Sequence, residues 1–464
     1  MKLIGGSVLA AVGIVVFGSV FPTPAQPAVP PHDHADFPDG SGIVRTVSSN
    51  GFIDTTGPFF QVLGSNGRAC ITCHQPSQGW TITPAGVRER FERTQGTDPI
   101  FRTVDGSNSP NADVSTLRAR RAAYSMLLNK GLIRIERPMP AGAEFALIGV
   151  DDPYHYASAA GLSLFRRPLP STNLRFLSTV MWDGREVDPS TPMTIANSEA
   201  TNTAILRASL AHQALDATTG HAQGTGLTAA QQNAIVDFEL GLSTAQVWDS
   251  EAGWLADDGA LGGPENIESF PFYIGINDNV ADPNGPFNPN SMSLFDPWTH
   301  SRNDDRAAIA RGEVVFNTKP IPISGVNGLN DNPYFGSPSS TVGTCTTCHN
   351  APNVGDHSLA IALNIGVADA SRRTPDMPLY TLQNLSTGEI TQTTDPGLAL
   401  STGKWKDIGR FKGPVLRGLA ARAPYFHNGS ARDLDAVLDF YQDRFGISFT
   451  SRERHDLIAF LRSL

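Results

Sequence analysis

The chain has 464 residues, 44 of them Gly and 34 Pro, and only 17% are charged. That length suits two domains, or one with large insertions. The composition suits a loop-rich globular protein and excludes a coiled coil or a disordered chain. A net charge of −10 argues against nucleic acid as a partner and leaves room for a basic one.

Lys2, an uncharged run over 3–20 and a break at Phe21-Pro22-Thr23-Pro24-Ala25 read as an export leader of residues 1–25. The run is about eighteen residues, long enough to persist as an anchor, so a membrane is a partner only if the leader stays uncleaved. Residues 26–60, polar and carrying His32 and His34, read as a linker. Then comes Cys70-Ile71-Thr72-Cys73-His74, followed by a tight loop whose Trp80 is placed to cover a cofactor edge.

Helices are expected over 84–93 and 116–128, and short strands over 132–135 and 145–150. Met181-Trp182-Asp183-Gly184-Arg185 forms a compact turn. Further helices fall over 203–215 and 228–242, the second opened by a capping box of Thr228 and Gln231. Residues 255–299, rich in Gly, Pro, Asn and Asp, read as a long connection.

The second half opens with a helix over 307–316 and a loop over 317–343, which lead to Cys345-Thr346-Thr347-Cys348-His349. The chain is then irregular to about residue 412. A helix over 434–445 carries Leu434, Val437, Leu438, Tyr441 and Phe445 on one face. The last helix is capped by Thr450 and Glu453.

C-x-x-C-H is an attachment site for c-type haem. Two thiols add across the haem vinyl groups, and the adjacent imidazole ligates the iron. Two copies use all four cysteines, which leaves none for a zinc site or a disulfide. Two covalent haems are therefore expected, on Cys70, Cys73 and His74 and on Cys345, Cys348 and His349. Export and haem attachment agree, because bacteria attach haem covalently outside the cytoplasm; the expected location is the periplasm. The expected fold is mainly α: two cytochrome c-like helical lobes, 61–295 and 296–464, each around one haem, with long loops and few short strands.

The order and spacing of these segments resemble the bacterial di-haem cytochrome c peroxidase and MauG superfamily. Trp182 to Arg185 is similar to its F-W-D-G-R, Phe411 to Arg417 to its F-K-x-P-x-L-R, and Pro424 to Gly429 to its P-Y-x-H-D-G. The resemblance implies a periplasmic oxidoreductase that reacts with hydrogen peroxide at the N-terminal haem. Oxidising equivalents would be shared through Trp182 with an electron-transferring C-terminal haem. The partner would be a small periplasmic electron donor or a protein substrate.

The resemblance also implies site residues. The residue fourteen positions after His427 is Tyr441, where the family places the second axial ligand of the C-terminal haem; Met377 is the competing candidate. A phenolate favours oxidised iron and a thioether favours reduced iron. On the distal side of the N-terminal haem, Gln213 matches the family's Gln. Its Glu, ten residues on, is replaced by Gln223, so His221 is the candidate proton shuttle or a displaceable ligand. MauG carries a tryptophan two residues before its second motif, where this chain has Gly343. A calcium ion between the haems would be held through the backbone carbonyls of Arg422 and Pro424. The reading from another class is a di-haem electron carrier without catalysis.

Overall fold

The computed structural model describes residues 34–186, 199–280, 282 and 284–464. The leader expected over residues 1–25 lies outside them, and no helix among the described residues is long and apolar enough to cross a membrane.

Helices form where caps and periodicity coincide. Thr83 accepts from Gly86 N at the start of Pro84–Thr94, with Pro84 in the first turn, where its missing N–H costs nothing. The capping boxes of Thr228 with Gln231 and Thr450 with Glu453 are both present, opening Ala229–Gly241 and Ser451–Arg462. Glu199–Gly220 is the longest helix. The stretch over 116–128 breaks at Tyr124 into Leu117–Ala123 and Ser125–Lys130.

The mainly α expectation is corrected. Helix makes up 34% and strand 17%, with the strands gathered in five small sheets among the described residues. The supposed linker over 26–60 contributes His34–Pro38 and Gly42–Ser48. Gly42–Ser48 pairs antiparallel with His34–Pro38 on one side and with the distant Leu242–Asp249 on the other. Leu242–Asp249 is buried on both faces, so it lacks the alternation that marks a half-exposed strand. The loop over 317–343 likewise contains the paired strands Ile321–Ser324 and Ser340–Gly343.

From Pro31 to Leu464 the chain forms one compact unit. Phe145–Asp151 pairs with Leu379–Asn384, which joins the two halves by a sheet rather than by a linker. A buried ionic chain joins them again. Arg166, on Leu162–Arg166, donates from Nη1 to Asp183 at 2.7 Å and from Nε and Nη2 to both oxygens of Asp395, at 2.7 and 2.9 Å. Arg185 adds a bond to Asp183 at 3.0 Å. Burial opposes the Asp183 charge, but Arg166 and Arg185 outweigh it and hold the carboxyl well below its usual range.

Removing one partner of such a pair strands a buried charge, at about 3–5 kcal/mol. Asp395→Asn is expected to sit near the lower end, because Arg166 keeps Asp183. A drop of about 3 kcal/mol in denaturant unfolding of the cofactor-loaded protein checks this; an unchanged midpoint would show that the pairing contributes nothing.

Candidate haem cavities and active site

Both C-x-x-C-H motifs fold the same way. Cys70–Thr72 and Cys345–Thr347 are single tight helical turns, and His74 N and His349 N bond back to the first cysteine's carbonyl. Each histidine then points its Nδ1 at a backbone carbonyl: His74 at Trp80 O, 3.0 Å, and His349 at Gly355 O, 2.5 Å. A carbonyl only accepts, so Nδ1 carries the proton and Nε2 keeps its lone pair for a metal. Burial pulls His74 down to about 4 and lowers His349 as well, which keeps both rings neutral.

The four cysteines are unbridged. Burial pushes Cys70, Cys345 and Cys348 up to about 12, and raises Cys73.

Each motif opens on its own largely apolar cavity. Cys70, Cys73, His74, Gln213 and His221 line the first, and Cys345, Cys348, His349 and Tyr441 line the second. Trp182 lines both, as do Arg167 and Lys412. The second wall also holds Arg422. No carboxylate reaches Arg167 or Arg422 among the described residues, although both are buried. Cavities walled by uncompensated cations fit a flat apolar group that brings its own carboxylates, as haem does.

Trp182 is held by its Nε1, which donates to Arg167 O at 2.8 Å, and its ring meets His427 edge-on at 6.2 Å. His427 stacks on Phe411 with ring centres 3.9 Å apart, and no hydrogen bond reaches its Nε2 among the described residues. Trp80 lines neither cavity. It is buried against Phe59 and Phe238 and serves His74 through its carbonyl.

On the second cavity, Tyr441 stacks on Phe445. Its hydroxyl makes no hydrogen bond among the described residues, and burial raises it well above the usual phenol range. Met377 packs instead with Met126, Leu132 and Phe165 and lines neither cavity.

On the first cavity, Gln213, Ala217 and His221 recur every fourth residue along Glu199–Gly220 and just past its end, so they share one face. The Gln213 amide makes no hydrogen bond among the described residues. His221 Nδ1 donates to Asp105 Oδ2 at 2.6 Å, and Arg68 Nη1 donates to Asp105 Oδ1 at 2.5 Å. This fixes the tautomer and leaves Nε2 of His221 free. Gln213 and His221 also line a cleft of about 1150 Å³, so the first cavity and the cleft share a wall.

Sequence reasoning missed Asp105, Arg68 and Glu239. Asp105 lies 116 positions before His221, with no local motif around it. Glu239 lines the first cavity from helix Ala229–Gly241, its Oε2 buried without a hydrogen-bond partner among the described residues. Burial pushes it up to about 8. The Arg422 carbonyl already takes a hydrogen bond from Arg167 Nη2 at 2.9 Å. One of the two carbonyls expected to hold calcium thus already faces a buried guanidinium.

No family model matches the chain. Over 141 residues it is 33% identical to the cytochrome-c peroxidase IdrP1 of Pseudomonas sp. (strain SCT), covering 26% of this chain and 36% of that protein. It is 25% identical over 272 residues to the cytochrome c peroxidase Ccp of Escherichia coli (strain K12), covering 52% and 49%. It is 43% identical over 65 residues to the methylamine utilization protein MauG of Methylorubrum extorquens, covering 12% and 18%. The chain thus spans between about a fifth and a half of these relatives' length. These relatives are cytochrome-c peroxidases and MauG. Over part of its length the chain is similar to members of the di-haem cytochrome c peroxidase/MauG superfamily.

Glu239 yields a pH prediction. Its folded value, about 8, lies above its ordinary 4.5, so the folded state holds the extra proton. Its contribution is complete below about 4.5 and is lost as pH rises through about 8. Glu239→Gln is expected to flatten the fall in unfolding midpoint across that window. Equal slopes in the two proteins would show that Glu239 is not protonated.

Proposed function

We propose that this protein is a periplasmic di-haem peroxidase that takes hydrogen peroxide at the His74 haem and passes oxidising equivalents through Trp182 to the His349 haem. The observation that carries this reading is the wall shared by the cleft and the His74 cavity, at Gln213 and His221. A small reactant entering the cleft meets polar side chains there, beside a histidine-ligated cavity. Haem supplies the redox chemistry once tethered through Cys70 and Cys73, and through Cys345 and Cys348.

The protein residues supply the rest. His74 and His349 hold the irons through Nε2, each oriented by its Nδ1 bond. His221, steadied by Asp105 and Arg68, holds or passes a proton at Nε2 beside the reactant, as general acid-base catalysis needs. Gln213 offers an unengaged amide next to it. Trp182 lines both cavities, the one aromatic side chain shared by the two walls among the described residues.

Tyr441 is proposed as the second ligand of the His349 haem. Its unengaged hydroxyl on that cavity supports this, and so does the distance of Met377 from it. A phenolate ligand favours oxidised iron, so the reaction is proposed to start without prior reduction and to end on an organic or protein substrate. The exit route through a tryptophan before the second motif is not available. A Cβ at Gly343 would collide with Thr347 Oγ1, so even a small side chain does not fit there as the chain is packed.

One equivalent of hydrogen peroxide added to the fully oxidised protein is expected to change its visible and near-infrared spectrum promptly. A reaction seen only after one haem is reduced would point to a small electron donor instead, and no reaction in either state would leave an electron carrier. His221→Ala is expected to slow the peroxide reaction about 10²–10⁴-fold, the usual worth of a positioned acid-base group. Tyr441→Phe is expected to change the low-spin spectrum of the C-terminal haem, and an unchanged spectrum would remove the ligand assignment.

A further inference from the structure

The guanidinium of Arg167 sits where three separate stretches of backbone turn their carbonyls inward. Nη2 donates to Ile82 O at 2.7 Å and to Arg422 O at 2.9 Å, and Nη1 donates to Lys130 O at 3.0 Å. Arg167 N adds a bond to His427 O at 2.6 Å. These oxygens belong to the loop after the first C-x-x-C-H, to the end of helix Ser125–Lys130, and to the loop that carries Pro424 and His427. Gly131 makes room for the arrangement: its φ is +63°, and a Cβ there would collide with Nη1.

Converging carbonyl oxygens are how proteins hold calcium, normally with carboxylates in the same shell. Here no carboxylate contacts Arg167 among the described residues, and Arg422, also buried, adds a second positive charge beside it. Guanidinium is permanently charged and spreads its N–H donors in a fixed fork. It therefore meets the carbonyl dipoles with a single positive charge and needs no ion. A calcium ion at Arg422 O would add two charges next to two buried cations.

We propose that Arg167 is the built-in cation of this junction, taking the place of a calcium ion, and that the haem-loaded protein is calcium-independent. The inference concerns how the two halves are joined and stands apart from the peroxide chemistry.

The test uses the full-length, haem-loaded protein. Calcium content is measured by elemental analysis after dialysis against EGTA, and the visible spectrum and thermal midpoint are recorded with EGTA and with excess calcium chloride. The expected result is far less than one calcium per chain, with neither spectrum nor midpoint responding to either addition. One calcium per chain, or a midpoint that falls by several degrees in EGTA and recovers with calcium, would overturn the proposal. Arg167→Gln keeps an amide donor and loses the charge. It is expected to lower the midpoint by several degrees, and a midpoint equal to wild type would also count against the proposal. If that variant does not fold, the wild-type measurements decide alone.

Discussion

Arg166 has to be charged, buried and shared for this molecule to hold together. It faces Asp183 from one half of the chain and Asp395 from the other, and all three are almost wholly out of water. Charges so placed are costly alone and tolerable only as a set. The turn that presents Trp182 is therefore not free to drift: the next residue, Asp183, is tied to Arg166, and the Trp182 carbonyl accepts from Lys412 N at 2.9 Å. The neighbouring arginine faces the other way. While Arg166 binds carboxylates, Arg167 binds only carbonyls, so two consecutive residues join the halves by two different chemistries.

Much of the local structure was legible in the sequence, because local signals act within a few residues. Thr228 with Gln231 and Thr450 with Glu453 open helices as their spacing implies. The two C-x-x-C-H motifs sit in matching turns on matching cavities. The strands were less legible. Leu379–Asn384 alternates buried and half-buried positions as a strand should, but its partner lies more than two hundred residues earlier. Gly42–Ser48 looked like a linker although His34–Pro38 pairs with it as a short hairpin; its other neighbour, Leu242–Asp249, lies far along the chain. A sheet assembled from distant pieces leaves no periodic mark long enough to read.

The site shows the same division. Cys70, Cys73, His74, Cys345, Cys348 and His349 announce themselves by spacing, and Trp182 by its turn. His221 was visible only as a histidine at a place where an acid was due, and Asp105, which aims it, was invisible. Glu239 reads as one more polar residue on a helix whose neighbours are apolar. Only the fold reveals that it is buried on a cavity wall. The Arg422 carbonyl could be named from sequence as a cation ligand, but not that a side chain from residue 167 already held it.

The walls of the His74 cavity also draw on distant parts of the chain. Lys412 and Val415 line that cavity, although they come more than three hundred residues after His74. A tethered macrocycle on Cys70 and Cys73 would sit beneath them. The wall of the first cavity is thus completed only by residues near the end of the chain.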